Sequence, residues 1–261
     1  KYPGREETYE VRLNPVTKNE IFGILRDISE WVQLEQMKSD FINRASHELR
    51  TPLTTSLLMT DLIDEGGTEE ELAEFWSVLK HELNRQKILV DRLLMAGRLE
   101  SNTLAIDLMP VMLPPIVSES VAAVKPIAKK NNIRLETEFS EGLPQVIGDV
   151  SALQQVFINL LNNAIKFSPE GSTVTCSAKP EADGVAVRIS DQGIGISEGE
   201  IPNLFERFFR TRSVKVAEIP GSGIGLFIVK SIVEEVGGKI WVDSEVGSGT
   251  TFVVWLQAAD H

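Results

Sequence analysis

Residues 41–53 read Phe-Ile-Asn-Arg-Ala-Ser-His47-Glu48-Leu-Arg-Thr51-Pro52-Leu, inside a longer stretch from Asp27 to Asp64 whose apolar residues recur at three- or four-residue spacing: Leu34, Met37, Phe41, Ala45 and Leu49. That spacing predicts an amphipathic helix. At about 100° per residue His47 falls well off the apolar stripe, so it is expected to face solvent, with Thr51 one turn further along the same face. Pro52 removes an amide donor and crowds the carbonyl of Glu48, which predicts a bend. A neutral imidazole is a nucleophile near neutral pH. A carboxylate beside it can fix its tautomer and take its proton, and a hydroxyl one turn away can orient a water. The same residues also read as an exposed histidine with an unrelated glutamate beside it.

Outward from this stretch, Gly66-Gly67 ends the helical pattern, and Thr68 followed by Glu71 has the form of a capping box. A second helix is expected to about Leu99, with Leu72, Phe75/Trp76, Leu79, Leu83, Leu89/Val90 and Leu93/Leu94 as its stripe. Two long helices joined by a short turn make an antiparallel hairpin. Two helices alone make a poor core, so a homodimer forming a four-helix bundle is expected. His81-Glu82-Leu83-Asn84-Arg85 partly repeats the first segment but lacks the Thr-Pro, and is expected to be structural or solvated. On the N-terminal side, 7–13 and 20–27 alternate apolar and polar residues around Asn14, Pro15 and Lys18-Asn19, which reads as a β-hairpin.

The whole chain has 261 residues, 42% hydrophobic and 25% charged, with a formal net charge of -12. The composition is that of an ordinary globular protein, and the acidic balance argues against direct nucleic-acid binding. Cys176 is the only cysteine and there are three histidines, which excludes an intrachain disulfide and argues against a Cys- or His-rich metal site. A reducing cytosol fits this usage. No apolar run approaches the roughly 18 residues that span a bilayer. The sequence starts at Lys1 inside an apparent strand. It is therefore expected to be a piece of a longer protein, with any membrane attachment carried by a segment outside it.

Residues 100–115 are a Pro-containing boundary. Beyond it, helices are expected near 116–130, 150–167 and 224–236, with strands at 133–139, 172–179, 184–190, 239–244 and 249–256. That order predicts an α+β layer sandwich, not a βαβ series.

Four segments of this half carry candidate chemistry. On a helix, Asn159, Asn163 and Lys166 fall within about 60° of each other, opposite Leu153, Val156, Leu160 and Ala164. An Asn carbonyl is a hard ligand suited to Mg²⁺, and Lys166 can meet a phosphate. A polar face in water is the competing reading. Asp191-Gln-Gly193-Ile-Gly195-Ile196 follows a predicted strand. Its carboxylate can accept from an exocyclic adenine amine, and its glycines admit close backbone approach. Leu204-Phe-Glu-Arg-Phe-Phe-Arg210 holds aromatics expected to pack and an arginine able to reach a phosphate or simply be solvated. Gly221-Ser222-Gly223-Ile224-Gly225-Leu226 leads into a helix, and amides at a helix N-terminus favour anions. Dinucleotide-fold and Walker A spacings are both absent.

Ser46-His-Glu-Leu-Arg-Thr-Pro-Leu53 resembles the phosphoacceptor box of two-component sensor histidine kinases, and the four later segments resemble, in order and spacing, the N, G1, F and G2 boxes of the ATPase domain of that family, shared with gyrase, Hsp90 and MutL. Gly247-Ser-Gly-Thr-Thr-Phe252 resembles the last glycine box. The likeness spans about residues 30–257. It implies that His47 is phosphorylated, that Glu48 acts as base and that Thr51 supports dephosphorylation of a response regulator. It implies ATP held by Asn159, Asn163, Lys166, Phe167, Asp191, Gly193, Gly195, Ile196, Arg210 and residues 221–226, with Mg²⁺ on Asn163. It also implies a mobile lid around 211–225, and a response-regulator receiver domain as partner. Gly23-Ile-Leu-Arg-Asp-Ile-Ser-Glu30 is similar to the exit of a PAS sensor domain.

The expected organisation is a multi-domain α+β chain: 1–29, the last strands of a PAS-like domain; 30–100, the dimerising helical hairpin; 101–112, a linker; 113–258, the ATP-binding sandwich. A cytoplasmic kinase portion is expected. Two other readings stay open: a hydrolytic ATPase of the same superfamily, which leaves the His47 segment unused, and a non-catalytic dimeric scaffold, which leaves Asn163 and Asp191 unused.

Overall fold

The computed structural model describes residues 7–17, 20–100, 106–207, 209–211, 214 and 223–259; the side chains of Leu34, Met37, Phe41, His47 and some other helix and strand residues lie outside the described set. The chain divides into two compact units between Lys87 and Ile88.

In the first unit, β1 (Tyr9–Thr17) and β2 (Glu20–Asp27) form an antiparallel hairpin. The strands run further than the sequence suggests. Asn14 and Pro15, expected in the turn, stand opposite Phe22 and Ile21. A two-stranded ribbon has only edges, where a residue without an amide proton is tolerated. Val11, Leu13, Ile21 and Leu25 stay exposed.

Helix α1 (Ser29–Glu65) follows at once, and Ser29 Oγ accepts from the Thr8 amide at 2.8 Å. The helix continues through Pro52. Just beyond it the hydroxyls of Thr54 and Thr55 donate to the carbonyls of Arg50 and Thr51, four residues back. Gly66 and Gly67 end α1, and α2 (Glu69–Glu100) completes the helical hairpin. The capping box forms as expected: the Thr68 amide donates to Glu71 Oε2 at 2.9 Å and the Glu71 amide to Thr68 Oγ1 at 3.3 Å. The Thr68 amide, and less strongly the Thr68 hydroxyl, which also donates to Oε2 at 2.9 Å, hold the Glu71 carboxyl below the usual range. On the stripes Ala45 and Leu89 are buried, but Trp76 and Leu83 are 50% exposed.

The second unit is built on a mixed five-stranded sheet in the order β4-β6-β7-β9-β8. Its strands are β4 (Arg134–Phe139), β6 (Thr173–Glu181), β7 (Gly184–Ser190), β8 (Lys239–Glu245) and β9 (Gly249–Gln257). Only β4 and β6 pair in parallel. Register places Cys176, Ile189, Phe252 and Val242 in one row and Ala178, Val187 and Val254 in the next. All are buried, and helices α3 (Leu113–Lys130), α4 (Val150–Phe167) and α5 (Gly225–Glu235) pack beside them. At about 25 cal/mol per Å², burial of these apolar rows against the helices stabilises the unit.

Helix α3 starts earlier than the pattern suggests, because Pro114 and Pro115 occupy its first turn, where a missing amide proton costs nothing. Helix α4 starts where Asp149 Oδ1 accepts from the Ala152 amide at 2.9 Å. Residues 109–111, within the expected linker, form β3 (Met109–Val111) and pair with β5 (Val146–Gly148). Among the described residues no helix is long and apolar enough to cross a membrane.

Candidate nucleotide site and phosphoacceptor helix

A cavity of about 150 Å³ opens between the C-terminal half of α4, the loop after β7 and the start of α5. The sequence-expected residues Asn159, Asn163, Lys166, Phe167, Asp191, Gly195, Ile196, Arg210, Gly223, Gly225 and Leu226 all line it.

Asp191 leaves the end of β7. Its Oδ1 accepts from the Gly193 amide at 2.8 Å and from the Thr250 amide at 3.2 Å. Burial raises the carboxyl above the usual range, and the two amide bonds offset only part of that rise. A carboxylate held in place against its own desolvation, with both amide bonds made to Oδ1 and neither to Oδ2, is an acceptor suited to an amine.

The loop holding it is knitted to both neighbours. The Ile194 amide donates to the Phe167 carbonyl at 3.3 Å, and the Gly247 amide to the Ile194 carbonyl at 2.9 Å. The Ile196 amide donates to Ser244 Oγ at 2.9 Å, and that hydroxyl donates to the Gly249 carbonyl at 2.8 Å. Gly195 has φ +67°, and a Cβ there would lie 2.0 Å from the Glu245 carbonyl oxygen. A Cβ on Gly249, at φ +108°, would lie 2.1 Å from the Asp191 carbonyl oxygen. Only glycine fits such backbone contacts.

On α4, Asn159 is 6% exposed among apolar neighbours, and its Nδ2 is buried without a hydrogen-bond partner among the described residues. Buried amides are normally bonded, so an orphaned one lining a cavity fits a polar ligand. Asn163 is half-buried and Lys166 exposed, its ammonium 4.9 Å from the centroid of the Phe167 ring. Phe205 meets Phe252 edge-on, with centroids 6.4 Å apart.

Two expected residues sit behind the lining. Ile224 is 1% exposed, and Gly193 presses on the Phe167 carbonyl, where a Cβ would lie 2.5 Å away. Gly221, Ser222 and most of the expected lid fall outside the described residues. The cavity is also lined by Asn162 and by residues of the candidate segments and expected lid that were given no individual role: Ile194, Leu204, Phe209, Thr211, Val214, Thr250 and Phe252. None of these is singled out individually by sequence, because apolar and hydroxyl groups carry no chemistry that marks them, and Asn162 lies about 100° round the helix from Asn163.

His47 lies on α1, with its side chain outside the described set; Glu48 is half-buried and Thr51 exposed. His81 is exposed on α2.

The donor set fits the implied ligands. It offers a fixed carboxylate and a glycine cradle for a base, an unpartnered buried amide, and two cations for phosphates. Among the described residues no cluster of three His, Cys, Asp or Glu could hold a metal. Mg²⁺ shared between one Asn carbonyl, phosphates and waters needs no such cluster.

The chain is similar to known proteins along most of its length. Residues 37–102 match the His Kinase A (phospho-acceptor) domain, and residues 148–260 the histidine kinase-, DNA gyrase B- and HSP90-like ATPase. Drug sensory protein A of Synechocystis sp. is 36% identical over 248 residues, covering 90% of this chain and 37% of that protein. Sensor-like histidine kinase SenX3 of Mycobacterium tuberculosis is 32% identical over 235 residues, covering 90% of this chain and 57% of that protein. The chain thus spans between about a third and three-fifths of these relatives' lengths. A solved structure of the mycobacterial sensor histidine kinase MprB is 33% identical with a TM-score of 0.51, covering 59% of this chain and 100% of that one. With a phosphoacceptor helical hairpin and an ATPase sandwich in this order on one polypeptide, the chain belongs to the sensor histidine kinases.

Proposed function

We propose that this chain binds Mg·ATP in the α4–α5 cavity and transfers the γ-phosphoryl group to His47, from which it passes to an aspartate on a response-regulator receiver domain. The observation that carries the reading is Asp191, a carboxylate fixed by two backbone amides against the desolvation of its own charge. That arrangement suits recognition of an adenine amine.

Each other residue has a role in this reading. Gly195 and Ile196 take the base against backbone. Asn159 directs its unpartnered Nδ2 to the phosphates. Asn163 would hold Mg²⁺, which supplies charge neutralisation to the phosphate chain. Lys166 and Arg210 offset the charge on the group in transfer, and the amides at the start of α5, with residues 221–226, favour the phosphate end. His47 attacks the phosphorus with its lone pair, the bond to the leaving β-phosphate oxygen breaks, and Glu48 takes the imidazole proton. Thr51, exposed one turn on, orients water in the reverse dephosphorylation of the partner.

The homodimer is part of the proposal. Leu53 and Leu57, four residues apart on α1, are 51% and 58% exposed, as is Leu83 on α2 at 50%, and a four-helix bundle would cover apolar residues of this kind. The β1–β2 hairpin, with Leu13, Ile21 and Leu25 uncovered, reads as the end of a PAS-like sensor domain whose state biases the helices between kinase and phosphatase arrangements. A cytoplasmic location belongs to the same reading.

The test is incubation with γ-labelled ATP. Acid-labile, alkali-stable label that disappears in His47→Gln supports the proposal. Undiminished label in that variant sinks it.

A further inference from the structure

The guanidinium carbon of Arg207 lies 4.3 Å from the centroid of the Phe227 ring, well inside the range of cation–π attraction. Burial lowers the Arg207 pKa, so the group is partly desolvated, the setting in which this attraction is strongest. Neither residue lines the cavity, but each is next to residues that do. Phe209, Arg210 and Thr211 follow Arg207 onto one wall, and Gly225 and Leu226 precede Phe227 on the other. Phe205, two residues earlier, anchors the same segment by its edge contact with Phe252. The segment that carries Arg210 is therefore held between β9 and the first turn of α5.

We propose that Arg207 is a positioning residue for the phosphate end of the bound nucleotide: lying on Phe227, it keeps Arg210 at a fixed place relative to the N-terminus of α5. This rests on the nucleotide reading of the cavity and adds a residue pair to it. Because Asp191 and the glycine cradle meet the base on a different wall, the clasp should act on the terminal phosphate and leave base recognition unchanged.

The experiment measures the affinities of ADP and of a non-hydrolysable ATP analogue for the intact chain and for Arg207→Gln, Arg207→Lys, Phe227→Leu, Phe227→Tyr and the Arg207→Gln/Phe227→Leu double variant. Arg207→Gln and Phe227→Leu are each expected to weaken the analogue about fivefold, with ADP changed less than about twofold. The double variant should lose no more than the worse single one, since both break one contact. Arg207→Lys and Phe227→Tyr, which keep a cation and a ring, should recover part of the loss. Equal weakening of both nucleotides, single effects that multiply in the double variant, or an unchanged analogue affinity in Arg207→Gln overturns the proposal. If the unsubstituted chain binds neither nucleotide, the reading of the cavity falls as well.

Discussion

Oδ1 of Asp191 accepts a hydrogen bond at 3.2 Å from the backbone amide of Thr250, 59 residues later in the chain, while the Asp191 amide donates to the Thr250 carbonyl at 2.8 Å. This reciprocal pair ties the loop after β7 to the start of β9 and fixes the carboxylate on which base recognition depends.

Two consequences of opposite sign follow for Asp191. Burial raises its carboxyl, so its ionised form works against folding at neutral pH, and protonation relieves that cost as pH falls through the raised value. Nucleotide affinity needs the ionised acceptor, so it declines over the same fall in pH, starting above the range of an ordinary aspartate. Asp191→Asn should reduce ATP affinity at least about tenfold without lowering the melting temperature, and should flatten the acid limb of the binding profile. Calorimetric titrations across the acid range check this.

Asn159 gives a comparable trade between stability and binding. Its buried Nδ2 lacks a partner among the described residues, and an apolar side chain of similar size removes that penalty. Asn159→Leu is expected to stabilise the ATP-binding unit by about 1 kcal/mol and to abolish nucleotide binding. Thermal melts with and without ATP would show a higher melting temperature that ATP no longer moves.

Gly195→Ala should do the reverse. Its Cβ would meet the Glu245 carbonyl at a position with φ +67°, so the loop must shift. A destabilisation of about 2 kcal/mol or more and weakened ATP binding are expected together, measured by urea unfolding and by nucleotide titration.

The capping box predicts a local effect in the other unit. Thr68→Ala removes the hydroxyl that accepts from the Glu71 amide and should destabilise the helical hairpin by about 1 kcal/mol. The Glu71 carboxyl, held low by Thr68, contributes stability above the ordinary glutamate range, and that contribution is lost as pH falls through its lowered value. Melting curves at neutral and acid pH should differ less for Thr68→Ala than for the unsubstituted chain.

What could be read from sequence was local or periodic. Thr68 and Glu71 form their box within one turn, so three letters of spacing were enough. The α4 pattern gave its length from Val150 to Phe167, since apolar residues recur through every turn. It also set Asn159 beside Asn163 and Lys166, but not the near-complete burial of Asn159, which depends on what packs there. Strands β3 and β5 escaped because three residues carry no alternation, and Pro110 argues against a strand. Asn14 and Pro15 looked like a turn by residue type, yet strand pairing continued through them. Thr250 and Phe252 lie in the segment likened to the last glycine box, but their meeting with Asp191 depends on the pairing of β9 with β7, a long-range contact that the segment itself does not specify.

The central claim, that His47 stores the phosphoryl group, is tested most directly by locating that group. After incubation with Mg·ATP, the chain is digested with trypsin under alkaline conditions that preserve phosphohistidine. Cleavage after Arg44 and Arg50 isolates residues 45–50 with His47, and cleavage after Lys80 and Arg85 isolates residues 81–85 with His81. The account predicts an added phosphate on residues 45–50 and none on residues 81–85; phosphate on 81–85, or on neither peptide while ATP is consumed, would contradict it.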